Sequence, residues 1–295
     1  MGSSLQPFDV DPLPRSQELY GPDLLAGLLC RDHGVGVLQL ARPKRSNAFN
    51  AAMWAGYAKA VRALAATPSV RCLLIVGQGK NFCAGIDLSY LQDMIVELKS
   101  FTCPGRMREH FREHILGLQD TFTSLETCRW PVVAAVHGQC VGGGVDLITA
   151  CDIRVCSQDA HFCVKEVDLA ITADLGSLQR LPAIIGHGAA ADLALTCRSI
   201  GSQEALRLGL VTQVLGVDRA TLLEAAVKLA CSLAAKGSLA LIGTKRVLRH
   251  TRDMPGVAQG LEYVATYNAA MLISEDLDRA VAASKGGPAP LFSKL

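Results

Sequence analysis

The sequence predicts an α/β fold with a mainly parallel sheet, followed by a helical region. Two observations predict it. Short, largely apolar runs at Cys72–Val76, Val132–Val136 and Ile153–Cys156 alternate with stretches of helical spacing, the rhythm of strands paired in parallel through helical crossovers. From about residue 219 the alternation stops, and three helical stretches follow one another with no strand between them.

Taken in order, residues 1–25 carry Pro12, Pro14 and Pro22 among several acids, without periodicity. They read as an N-terminal arm. An α/β core is expected over 26–218. Val35, Val37 and the apolar run to Ala41 make a strand stopped by Arg42-Pro43. Ala48–Ala65 has Met53, Tyr57, Val61 and Leu64 on one helical stripe. Cys72–Val76, ended by Gly77, is apolar at every position and should be buried on both faces. A helical region is expected over 219–290, with helices at Ala220–Ala235, Ser238–His250 and Val257–Ala283. These should form a separate layer on the core or on another subunit. Residues 291–295 read as a tail.

Composition excludes several classes of function. Half of the 295 residues are apolar and 19% are charged, so the chain has apolar surface enough to fold. A net charge of +2 gives no sign of nucleic-acid binding. The eleven cysteines include no CxxC pair, which argues for buried, reduced thiols in a reducing compartment. The longest candidate for a membrane span, Pro131–Ala150, is broken by His137, Gln139, Asp146 and several glycines, so no span is expected. Met1-Gly2 opens like a myristoylation site, but Gln6 stands where Ser or Thr is wanted. Ser293-Lys294-Leu295 reads as a peroxisomal address recognised by an import receptor.

Three segments carry chemistry. Asn81–Asp87 follows the run 72–76, and His137–Asp146 follows the run 132–136. Each is a strand, a glycine-containing turn and a helix start. Two such turns facing each other could aim two N–H groups at one oxygen, the arrangement of an oxyanion hole. Neither segment fits a nucleotide-phosphate motif. The third segment, Val164–Asp174, places Glu166, Asp168 and Asp174 among apolar residues. Asp146 lies in another apolar helix start. Burial would raise the pKa of such acids and suit them to proton transfer; pairing with Lys165 or Arg180 would leave them inert.

The Ala84-Gly-Ile-Asp87 turn, the Pro131–Leu147 stretch, and the Cys151–Phe162 and Lys165–Leu169 runs together resemble the crotonase, or enoyl-CoA hydratase/isomerase, superfamily. The resemblance extends from about residue 30 to the C-terminal helices. It is closest to the dienoyl-CoA isomerase branch. It implies a crotonase-like spiral of ββα repeats with a C-terminal helical region, assembled as a homotrimer or homohexamer. It implies an acyl-CoA thioester substrate and no cofactor. The oxyanion donors should be the N–H groups of Ile86 and Gly143. Ala84, Asp87 and Gly142 should line the substrate, and Arg42, Lys44 and Lys245 are candidates for the CoA phosphates. Simple hydratases hold two glutamates, at the positions of Asp146 and Glu166 here. The isomerases add a third acid, at the position of Asp174, where hydratases usually have a small residue. The expected activity is therefore conversion of 3,5-dienoyl-CoA to 2,4-dienoyl-CoA in fatty-acid β-oxidation. Glu166 should act at C2 and Asp174 at C6, with Asp146 orienting or tuning one of them. An enoyl-CoA hydratase, or a non-catalytic RNA-binding or scaffold protein on the same fold, is the alternative.

Three other signals favour structural roles. His110 and His114 match a HxxEH zinc pattern but lie in a charged stretch with no third ligand in sight. His137 precedes the glycine turn. Cys83 and Cys140 flank the two turns, and a nucleophilic cysteine there would need His137 as its base.

Overall fold

A computed structural model describes residues 10–14, 16–29, 34–287, 290 and 292. Its strands are β1 (Val10–Pro12), β2 (Leu24–Leu29), β3 (Val35–Leu40), β4 (Cys72–Gly77), β5 (Val132–Val136), β6 (Gln139–Val141), β7 (Ile153–Cys156), β8 (His161–Cys163), β9 (Ile200–Gly201) and β10 (Gln213–Val214). Its helices are α1 (Ser16–Tyr20), α2 (Ala51–Ala66), α3 (Leu88–Lys99), α4 (Pro104–Thr127), α5 (Gly143–Thr149), α6 (Ser177–Ile185), α7 (His187–Thr196), α8 (Ser202–Leu208), α9 (Arg219–Ala234), α10 (Ser238–Asp253), α11 (Val257–Met271) and α12 (Glu275–Ser284).

The main sheet runs β1-β2-β3-β4-β5-β7-β10, and a small one runs β6-β8-β9. From β3 to β10 the main sheet is parallel, as the alternation predicts. Two successive turns of the chain give one strand to each sheet: β5 then β6, β7 then β8. This is the ββα spiral expected of the fold.

Every residue of β3, β4 and β5 is buried. The pleat explains the unbroken apolar runs. Leu73 and Ile75 face the cluster that holds Met53, Tyr57, Val61 and Leu64 of α2. Leu74 and Val76 face the opposite cluster, with Leu222, Leu223, Ala226 and Ala230 of α9. Each of the Leu, Ile, Val and Met side chains contributes on the order of 1.5–3 kcal/mol by leaving water.

The terminal regions depart from expectation. The segment read as an arm contains α1 and an edge strand, with Val10 paired antiparallel to Leu29, and the boundary at 25/26 falls inside β2. Gly27 admits this pairing: a Cβ there would lie 2.5 Å from the Asp11 carbonyl oxygen. α9 packs on the core, covering the second face of the main sheet, as one of the two expected placements of the C-terminal helices has it. The helix expected over Val257–Ala283 breaks at 272–274, where the Ser274 side chain caps α12 by accepting from Leu277 N–H. No single described helix is long and apolar enough to cross a membrane. The tail tripeptide lies outside the described residues.

Lys245 on α10 is a correction. It is 9% exposed, donates to the carbonyls of Leu125 (3.0 Å) and Trp130 (2.9 Å), and pairs with Asp152 at 2.7 Å. It ties the C-terminal helices to the core, and its ammonium is occupied by these three partners rather than open to a phosphate. A lysine inside an otherwise apolar stripe is a clamp more readily than a ligand, because a buried ammonium must find such partners.

Candidate active site

The two glycine turns meet. Cys83 lies beside Cys140 in a parallel bridge, with Cys83 N–H donating to Gln139 (3.1 Å) and Val141 N–H donating to Cys83 (2.9 Å). Ile86 bridges Phe49 on its other side, through Phe49 N–H to the Gly85 carbonyl and Asp87 N–H to the Phe49 carbonyl. That pairing leaves the N–H of Ile86 turned away from Phe49. Gly85, at φ +84°, makes the close approach possible: a Cβ there would stand 2.9 Å from the Val141 carbonyl and 3.1 Å from the Gly143 nitrogen. A Cβ on Gly143 would lie 4.0 Å from the Ile86 nitrogen. Among the described residues, neither Ile86 N–H nor Gly143 N–H has a protein acceptor. The structure thus brings together the two donors expected from the sequence.

Glu166 opens a short 3-10 turn and is 8% exposed. Its Oε1 lies against Gly142, where a Cβ would stand only 3.1 Å away, and its Oε2 is buried without a partner. Desolvation first, and the charge of Asp146 second, push its pKa up to about 7. Asp146 is 1% exposed on α5. Its Oδ1 accepts Ser177 N–H at 2.6 Å and the Ser177 hydroxyl. Burial pushes it up to about 6, against the lowering effect of those two bonds. Asp174 is exposed, in the segment between the 3-10 turn and α6, and partial desolvation raises its pKa. Its charge raises the pKa of both Asp146 and Glu166, so the three acids share one electrostatic neighbourhood. Lys165 pairs with Asp168 at 2.5 Å and Arg180 with Glu126 at 2.8 Å, so neither takes Glu166 or Asp174 as its partner.

Other candidates sort by geometry. Ala84 is exposed, and Gly142 adopts φ +53° with the Glu166 carboxyl against it. Asp87 and Arg42 have structural partners within the chain. Asp87 caps α3: Oδ1 accepts Ser89 N–H (3.0 Å) and hydroxyl (2.7 Å), and Oδ2 accepts Arg42 Nη1–H at 2.8 Å. Those bonds, Ser89 foremost, hold its pKa down to about 2. Arg42 Nη1 also donates to the Ala48 carbonyl at 2.6 Å. The pair braces the turn that presents Ile86. Lys44 is exposed.

His137 Nε2 is 3.0 Å from the Gly79 carbonyl, and burial lowers its pKa. Burial pushes the Cys83 thiol up to about 12 and raises Cys140 as well, so no thiolate forms to act as nucleophile. His110 meets Glu97 at 2.9 Å and His114 meets the Tyr90 hydroxyl at 3.1 Å. No metal-binding cluster occurs among the described residues.

Two residues without an obvious chemical signal complete the site. Asn47, fully buried at φ +56°, donates to the carbonyls of Gln78, Asn81 and Phe82 and fastens the first turn. Ser177 holds Asp146. An Asn between two loop segments is a common left-handed residue, which is the only sequence signal Asn47 gives; Ser177 gives none beyond standing at a helix start.

Residues 31–276 match the family model described as enoyl-CoA hydratase/isomerase. The chain is 47% identical to the peroxisomal Delta(3,5)-Delta(2,4)-dienoyl-CoA isomerase of Arabidopsis thaliana, over 90% of this chain and 94% of the relative. It is 43% identical to the mitochondrial enzyme of that name from Homo sapiens, over 88% and 79%. A putative enoyl-CoA hydratase from Streptomyces coelicolor A3(2) superimposes with a TM-score of 0.83 at 26% identity, covering 99% of each chain.

Proposed function

The chain belongs to the enoyl-CoA hydratase/isomerase family, and from that premise we infer that it converts 3,5-dienoyl-CoA to 2,4-dienoyl-CoA. It is an isomerase that transposes double bonds of an acyl-CoA in fatty-acid metabolism. The observation that supports this reading is the third acid, Asp174, whose charge acts on Glu166, while Glu166 itself lies against Gly142 next to the Gly143 N–H.

The residue roles are the proposal. The reaction removes a proton from C2 and adds one at C6, through a conjugated dienolate whose charge gathers on the thioester oxygen. Ile86 and Gly143 N–H donate to that oxygen, and each such donor contributes about 10²–10³ in rate. Glu166, ionised, takes the C2 proton. Asp174, protonated, gives one to C6. Solvent exchange then restores both. C2 and C6 are four bonds apart, so two carboxyls reach them better than one. Asp146 acts on Glu166 by its charge. Its Oδ1 is committed to Ser177, which disfavours using it to hold an attacking water, the role a hydratase needs. Ala84 and Gly142 border the acyl group and Lys44 meets a CoA phosphate.

The test is purified protein with 3,5-octadienoyl-CoA, followed by near-UV absorption as the diene becomes conjugated to the thioester. Hydration of a 2-enoyl-CoA as the faster reaction would replace this reading with the hydratase. A pH prediction follows from Glu166. Exchange of the C2 hydrogen with deuterated solvent needs only the ionised base. It should climb with pH through about 7 and then level off. Isomerisation also needs Asp174 protonated, so the ratio of isomerisation to C2 exchange should fall as rising pH ionises Asp174, whose pKa partial desolvation raises. Exchange independent of pH between 5 and 9 would remove Glu166 as the base.

We also propose an assembly of three or six copies, supported by the exposed apolar side chains Val257, Leu261 and Ile273 of the C-terminal region; a monomer mass in sedimentation would refute it. The Ser293-Lys294-Leu295 tripeptide and the peroxisomal name of the Arabidopsis relative support a peroxisomal location, whereas the human relative carries a mitochondrial name. Loss of import on removing Leu295 is the check.

A further inference from the structure

Asp174 rides on a segment with few backbone bonds of its own. Ala170 and Ile171 N–H close the 3-10 turn onto Val167 and Glu166. Beyond them the described anchors are side chains. Gln119 Nε2 donates to the Asp174 carbonyl at 2.7 Å. Arg180 Nη1 reaches back to the Leu175 carbonyl at 3.3 Å, and Asp146 takes Ser177 N–H. Gly176, at φ +125°, leaves the room that Arg180 needs: a Cβ there would lie 1.7 Å from Nη1.

These anchors converge on α4. Gln119, Thr123 and Glu126 are spaced four and three residues apart and share one face of the helix. Thr123 and Glu126 fix Arg180, through its Nη2 to the Thr123 hydroxyl (3.2 Å) and its Nε and Nη2 to Glu126 Oε2 (3.0 and 2.8 Å). Among the described residues, Gln119 is the side chain that grips the Asp174 carbonyl. A cavity of about 400 Å³ opens beside these groups, lined by Gln119, Asp174 and Arg180 among others.

We propose that Gln119 is a positioning residue for the C6 step: by holding the Asp174 carbonyl to α4, it sets where the Asp174 carboxyl meets C6. This rests on the reading of Asp174 as the acid at C6. Glu166 and the oxyanion donors sit on other elements and do not depend on this bond. A displacement of about 1 Å at a reacting group can cost about 10²-fold. Loss of the bond therefore slows reprotonation at C6 and spares proton exchange at C2.

The test is Gln119→Met, close in length and without the donor, read by the ratio of the isomerisation rate to the C2 exchange rate. The expected result is a fall in that ratio of about tenfold or more, with C2 exchange and the melting temperature near wild type. An unchanged ratio, whether both rates hold or fall together, overturns the proposal. If Gln119→Met is not recovered folded, Gln119→Glu, of equal length and without the donor when ionised, is read by the same ratio. Wild-type protein that does not isomerise at all would instead refute the functional reading on which the proposal stands.

Discussion

Replacing Glu166 with Gln should abolish isomerisation and C2 exchange together, each by about 10²–10⁴-fold. Both reactions begin with removal of the C2 proton, and an amide cannot take it. Packing should survive, because Gln is nearly isosteric and the pocket around Oε2 supplies no partner that would be lost. Stability gives a control of opposite sign. The pKa of Glu166 is raised in the fold, so its ionisation above pH 7 opposes folding. Glu166→Gln removes that charge, and its melting temperature at pH 8 should hold or rise. Activity lost with stability kept separates a chemical role from a structural one. Glu166→Gln that still exchanges at C2 would assign the base elsewhere, with Asp146 next in line.

Asp174→Asn should lower the isomerisation kcat by roughly 10²-fold or more, with KM little changed. Asn keeps the shape but delivers no proton to C6. Glu166 and the two N–H donors still form the dienolate and return the C2 proton, so solvent exchange at C2 should persist. The two variants therefore differ in kind: Glu166→Gln loses both readouts, and Asp174→Asn loses one. Isomerisation by Asp174→Asn at the wild-type rate would make Asp174 a structural acid and return the hydratase to consideration. The exposed position of Asp174 favours a clean result, since the substitution leaves no buried polar atom stranded.

What the sequence determined by itself is whatever short-range pattern encodes. The runs 72–76 and 132–136 are apolar at every position because both of their faces are covered, and that alone places them as central parallel strands. The glycines of 81–87 and 137–146 announce tight turns, and at Gly85 a Cβ would stand 2.9 Å from the Val141 carbonyl. Glu166, Asp146 and Asp174 stand out as acids among apolar neighbours. What only the tertiary structure decided is how distant segments share their polar groups. The family resemblance makes Arg42, Asp87 and Lys245 candidate ligands for phosphate or substrate, and the fold gives each a partner from a distant segment: Asp87 meets Arg42, 45 positions back, and Lys245 the Leu125 carbonyl, 120 positions back. Ser177, beyond standing at a helix start, and Gln119 carry no signal until folding sets them against Asp146 and Asp174, 31 and 55 positions away. The physical reason is that a polar group's role depends on whether burial denies it water and which partner then satisfies it, and that partner is chosen by packing across the whole chain.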